Sequence, residues 1–279
     1  MATVTAAAVN RALSAHASRK RKEANERFFK TGPGEYGEGD QFIGVSMPDT
    51  RKVAKQFRHL CFDEIAKLLE SPIHEHRMCG LLILVYRYEG LAKQHRATST
   101  GVAQVHGREL VLHPERVEVR GVAVDGASSG SDLQAEHKAI VDFYLKHIDR
   151  VNNWDLVDCS APQILGQYYR TYGGEAKLYT LAKSRSLWRR RIAIVSTFAF
   201  IRAGELTHTL AIAELLMNDT EDLIHKATGW MLREVGKQDK RVLEQFLHAH
   251  AAHMPRTCLR YAIERFPEGE RKGWMGVVA

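Results

Sequence analysis

Apolar residues along this chain recur at helical spacing almost from end to end. Residues 6 to 30 carry the pattern, with a basic tract, Arg19-Lys20-Arg21-Lys22, whose plain reading is a solvated helix face. Thr31 to Asp40 (TGPGEYGEGD) holds five Gly and Pro residues and predicts a loop. Ser46-Met47-Pro48-Asp49 then supplies an N-cap hydroxyl, a first-turn proline and an acid at the third helical position, a strong helix start. An amphipathic helix is predicted from Asp49 to His59 and a short one from Asp63 to Glu70. Pro72 opens another, whose apolar body is Cys79 to Val85.

A repeat organises the second half. Asp155, Arg191 and Lys226 are spaced 36 and 35 residues apart, and each precedes an apolar stretch: Leu156 to Leu165, Ile192 to Ile201, Ala227 to Val235. Shorter helical segments fall between or after them, at Glu175 to Lys183, Glu205 to Met217 and Lys240 to His250. Two helices per unit at this period predict an all-α fold, a HEAT-like α-solenoid of stacked antiparallel helix pairs, with residues 1–279 as one domain. Arg77 occupies the equivalent place one unit earlier but precedes Asp155 by 78 residues. The surplus falls near residues 96 to 135. There Arg108 to Val124 alternates β-branched residues around His113-Pro114-Glu115-Arg116, and Gly126 to Ser131 reads as a Gly/Ser loop. An inserted β-hairpin and a plain loop are both compatible with that composition.

Composition narrows the class. With 279 residues, 44% of them hydrophobic, the chain can bury one large core or two small ones. A formal charge of +7 permits a nucleic-acid partner without requiring one. Cys61, Cys79, Cys159 and Cys258 are scattered, which predicts reduced thiols in a cytoplasmic protein. No segment has the pattern of a secretory leader or a membrane span. His74-Glu75-His76 lacks the spacing of a zinc-protease helix, and His248, His250 and His253 have no nearby Cys or carboxylate set, so no metal is expected. Neither glycine-rich phosphate-binding string occurs, so no cofactor is expected either.

The candidate chemistry lies on the repeat. Trp154 and Asp158 are four residues apart and share a helix face. Repeat spacing brings Arg191 beside them, and Trp230 follows Lys226 by one turn. Taken singly, each has a structural reading: a core tryptophan, a capping or pairing aspartate, an exposed Arg185, Arg189, Arg190 and Arg191 face. Recurrence at the repeat spacing is what the structural readings do not explain.

Three strings carry a family resemblance: Trp154-Asp155-Leu156-Val157-Asp158, Leu187-Trp188-Arg189-Arg190-Arg191, and Ala227-Thr228-Gly229-Trp230-Met231-Leu232-Arg233-Glu234. Together they resemble the AlkD-like DNA alkylation repair glycosylases, a HEAT-like-repeat family that removes cationic alkylated purines. The resemblance runs from about Phe28 to Phe266 with the insertion left out. It implies that Trp154 and Trp230 flank the lesion-bearing nucleotide, that Asp158 is the catalytic carboxylate and that Arg191 holds the DNA backbone. Arg190, Lys226 and Arg233, in the same strings or the same row, complete the expected DNA-contacting set. The family pattern has an aromatic hydroxyl near the end of the first long helix; the matching stretch here is Arg27-Phe28-Phe29-Lys30, and Phe28 is given no catalytic role.

These residue types suit that reaction on chemical grounds. An N3- or N7-alkylated purine is already cationic and leaves without a general acid. The reaction needs stabilisation of the electron-poor sugar and a placed water, and a carboxylate beside C1′ supplies both. Indole faces favour nearby cationic character, and an arginine can fork onto a phosphate. The expectation is a monomeric glycosylase, here 3-methyladenine or 7-methylguanine releasing, on alkylated duplex DNA. The alternatives are a non-catalytic binder of branched or damaged DNA on the same scaffold and a protein-binding solenoid.

Overall fold

The computed structural model describes residues 4–106 and 130–277. Regular structure there is helical, with one isolated parallel bridge between Gln41 and Ile73. Helices α1 (Ala6–Ser14) and α2 (Arg19–Phe28) are followed by an irregular strap over residues 31–46. Helix α3 (Met47–Gln56) starts as its sequence predicts: Ser46 Oγ accepts from the Asp49 N–H at 3.2 Å and donates to the Asp49 carboxylate at 2.5 Å, with Pro48 in the first turn. Helix α4 (Phe62–Leu69) buries Ile65, Leu68 and Leu69.

Helix α5 (His74–His106) is the helix that Pro72 opens. It runs for 33 residues and passes through the position where the inserted segment was expected to begin. No proline occurs between Pro72 and Pro114, so nothing in the backbone chemistry stops it. On the far side, α6 (Gly130–Lys146) includes Gly130 and Ser131, which composition alone assigns to a loop. The strand-turn-strand expected over Arg108 to Val124 lies outside the described residues.

The predicted repeat is realised as α7 (Trp154–Ala161) continuing through a π turn at Pro162–Gly166 into α8 (Gln167–Tyr172), then α9 (Ala176–Ala182), α10 (Leu187–Ser196), α11 (Phe198–Arg202), α12 (Thr207–Leu215) and α13 (Asp222–Gln238). The chain finishes with α14 (Lys240–His250), α15 (Arg256–Ala262) and α16 (Glu268–Gly276). Successive inner helices pack α3 on α5, α5 on α7, α7 on α10, α10 on α13 and α13 on α15, while α9, α12 and α14 back them. This is the all-α solenoid that the spacing predicts. One continuous hydrophobic core extends from Ala6 to Phe266. Gly229 sets the last inner contact: a Cβ there would lie 2.4 Å from the Cys258 carbonyl oxygen, so only glycine lets α15 approach α13 this closely. No helix among the described residues is long and apolar enough to cross a membrane.

Candidate active site

Helix α10 packs between α7 and α13, which brings side chains of all three to one place. Asn153 caps α7, its side-chain oxygen accepting from the Trp154 N–H at 2.8 Å, and so fixes where the indole leaves the backbone. One turn later, Asp158 faces α10. Arg191 forks onto it, with Nε 3.0 Å and Nη2 2.8 Å from the two carboxylate oxygens, while Nη1 donates to the Leu223 carbonyl at 2.6 Å. Trp154, Asp158, Arg191, Lys226, Trp230 and Arg233 all line one cavity of about 620 Å³. Phe28, Lys30, Tyr36 and Tyr261 complete its wall.

Not every residue singled out in the sequence faces this cavity. Arg190 turns away: it grips the buried Asp219 at 2.5 and 3.2 Å and donates to the Ser184 and Arg185 carbonyls. Asp155, despite its place in the repeat row, is buried against His74 of α5 at 2.8 Å. Lys226 is half-exposed and pairs with Asp222 one turn earlier at 2.7 Å. Arg233 pairs with Glu264 and Glu234. Arg191 is almost wholly buried, and three of its five N–H groups are engaged inside the protein.

The electrostatics follow from this packing. Burial pushes the Asp158 carboxyl above the ordinary carboxylate range, and Arg191 offsets that only in part. Its two oxygens retain lone pairs beyond those that Arg191 occupies. Trp154 is wedged in an aromatic set: its ring stacks on Phe29 at 5.3 Å between centroids and meets Phe28 edge-on at 5.8 Å. Trp230, also in the lining, leans on Phe198 at 5.8 Å between centroids. Phe28 is 64% exposed, a large apolar ring held at the cavity mouth.

Another part of the wall comes from the strap, which the sequence presents only as a loop. Lys30 leaves α2 with φ 50, a left-handed turn that sends the chain back along the helix. Tyr36 then enters the cavity wall, its hydroxyl donating to the Phe28 carbonyl at 3.2 Å. Burial raises the pKa of that hydroxyl, with the Trp154 side chain, which faces it, working against the rise. A clamp fixes the far end of the strap. The Glu75 carboxylate accepts from the Ile43, Gly44 and Val45 N–H groups at 3.1, 2.8 and 3.2 Å. Asp40 takes Arg77 at 2.5 Å, the Asn153 amide at 2.9 Å and His74 Nδ1 at 3.2 Å, while His74 Nε2 meets Asp155. Burial alone would depress His74, but the Asp155 and Asp40 carboxylates outweigh it and raise the imidazole to about 9. His74, Glu75 and Arg77 therefore tie the strap to α5 and, through Asp155 and Asn153, to the start of α7. The signal that could have revealed Tyr36 is slight: a single aromatic residue in a loop of Gly, Pro and acids has no helix face of its own to pack on.

Comparison with known proteins agrees with this architecture. A solved structure described as "Predicted DNA alkylation repair enzyme from Enterococcus faecalis" superposes with a TM-score of 0.56 over 91% of this chain and 98% of that one, at 12% sequence identity. At that identity the likeness establishes the shared fold. No curated protein matches the chain. The family model described as DNA alkylation repair enzyme matches residues 9–111 and 91–266. With nearly its whole length matched and its cavity walled by the residues of the three diagnostic strings, the chain belongs to the DNA alkylation repair enzyme family.

Proposed function

We propose that this protein is a DNA glycosylase that hydrolyses the N-glycosidic bond of cationic alkylated purines, such as 3-methyladenine and 7-methylguanine, in duplex DNA. One observation carries the reading: a carboxylate, Asp158, held by Arg191 in a cavity that the indoles of Trp154 and Trp230 also line. In the reaction the C1′–N bond breaks and its electron pair leaves with the base, cancelling the positive charge of the lesion. Water adds to C1′ and its proton passes to Asp158 or to solvent, leaving an abasic sugar. The carboxylate stabilises the electron-poor C1′ and orients the water. Burial strengthens that interaction because little solvent screens it. The indoles and the Phe28 ring offer faces to the sugar and to the developing cation. The unengaged N–H groups of Arg191, together with Lys30 and Lys226 at the rim, suit the flanking phosphates. Cationic lesions need no general acid to leave, whereas a neutral base would need one, so neutral lesions are expected to be poorer substrates. The protein acts as a monomer in this scheme, since all the groups named come from one chain.

Mass-spectrometric identification of bases freed from methylated duplex DNA tests the proposal. Wild-type protein is expected to release methylated purines. Asp158→Asn, which keeps an acceptor for Arg191 but removes the charge, is expected to cut release by at least about 10²-fold while sparing binding. Intact lesions after long incubation with excess wild-type protein would refute it, and binding without release would favour the non-catalytic alternative.

A further inference from the structure

Helix α2 is ordered yet buries none of its ten residues. Its order comes from its ends. The Ser18 N–H donates to the Ile43 carbonyl at 3.3 Å, and Gly44, at φ +80, approaches so closely that a Cβ would lie 2.1 Å from the Ser18 carbonyl oxygen. At the other end the Gly37 N–H donates to the Lys30 carbonyl at 3.1 Å. The strap thus holds α2 at both ends and leaves its outer surface free.

That surface is divided by charge. Glu23 pairs with Arg19 at 3.1 Å and Glu26 with Lys22 at 3.8 Å, so one side is a neutralised, solvated face. The rest of the helix is different. Lys20, Arg21, Ala24, Arg27 and Phe28 stand at i, i+1, i+4, i+7 and i+8, which is one continuous stripe. All five are exposed, and no carboxylate among the described residues pairs with Lys20, Arg21 or Arg27. The stripe ends on Phe28 at the mouth of the cavity. Alanine at its centre keeps the helix surface low between the cations.

The geometry points to α2 as a backbone-tracking surface: Lys20, Arg21 and Arg27 contact consecutive phosphates of duplex DNA beside the nucleotide in the cavity. From Lys20 to Arg27 the helix rises about 10.5 Å, the axial span of about three phosphates of one strand. The cations carry no base information, so their effect is on affinity and register for any sequence. The inference rests on the DNA reading proposed above.

Fluorescence anisotropy with a fluorescein-labelled undamaged duplex, titrated at several NaCl concentrations, tests it. The variant Lys20→Gln/Arg21→Gln/Arg27→Gln is expected to lower the slope of log affinity against log salt by about 0.9 per contact, about 2.7 for three. The variant Arg19→Gln/Lys22→Gln, on the paired face, is expected to leave the slope and base release unchanged. A wild-type slope in the triple variant, or an equal fall in both variants, overturns the inference, and if wild-type protein still releases methylated purines the glycosylase reading stands. A wild-type protein with no salt-dependent affinity for duplex overturns both.

Discussion

The two walls of the cavity are built by different means. One consists of residues on α7, α10 and α13, which pack on one another in sequence, so Asp158, Arg191 and Trp230 come to line one cavity through helix packing. The other is a strap without regular structure, held by a cluster of buried charges around His74, Glu75 and Arg77. Repetition places side chains by apolar burial, which tolerates sequence change and is not directional. A clamp places them through charge-assisted hydrogen bonds, which need particular atoms at particular points. The walls should therefore fail differently.

The largest contrast is expected from Glu75→Ala. It leaves three backbone N–H groups of the strap without their acceptor and should cost about 3 kcal/mol, read from urea unfolding. Hydrogen exchange should show amides 41 to 46 losing protection while those of α10 and α13 keep theirs. Equal loss in α10 and α13 would mean that the two walls unfold as one unit, and the distinction would fail.

A second contrast comes from pH. His74 has its pKa raised to about 9 from an ordinary 6.5. The stability it contributes is fully present below the unfolded value and is lost as pH rises through the folded one. Up to about 3 kcal/mol should thus disappear between pH 6.5 and values above 9. His74→Asn should flatten that dependence, whereas a slope surviving the substitution would place its origin elsewhere.

Tyr36→Phe is the mildest change. It removes one hydroxyl and its bond to the Phe28 carbonyl while keeping the ring in the wall, and should slow base release about five-fold with folding stability altered by about 1 kcal/mol. An unchanged rate would assign the strap a purely structural role.

Particular residues show how much could be read in advance. Ser46, Pro48 and Asp49 announce the start of α3 because capping is a local matter, settled within one turn. Asp158, Arg191 and Trp230 were legible because a repeat converts a spacing of about 35 residues into spatial adjacency. Arg190 was not: nothing in Leu187-Trp188-Arg189-Arg190-Arg191 distinguishes the guanidinium that grips Asp219 from the one that grips Asp158. Successive residues on a helix point about 100° apart, and the packing of α10 decides which of them meets the cavity. The length of α5 was not legible for the converse reason, since a sequence marks helix ends only where breakers or caps are present.

The sequence by itself determined the helical class, the stacking period and the chemical identity of the group that faces the lesion in the proposed reaction. Those properties follow from short-range periodicity and from residue types whose chemistry travels with them. Only the tertiary structure decided that Arg191 is bound to Asp158, that His74, Glu75 and Arg77 form a clamp on the strap, and that Tyr36 lines the cavity. Each rests on directional polar contacts between particular atoms, and such contacts do not show in the pattern of apolar positions along the chain.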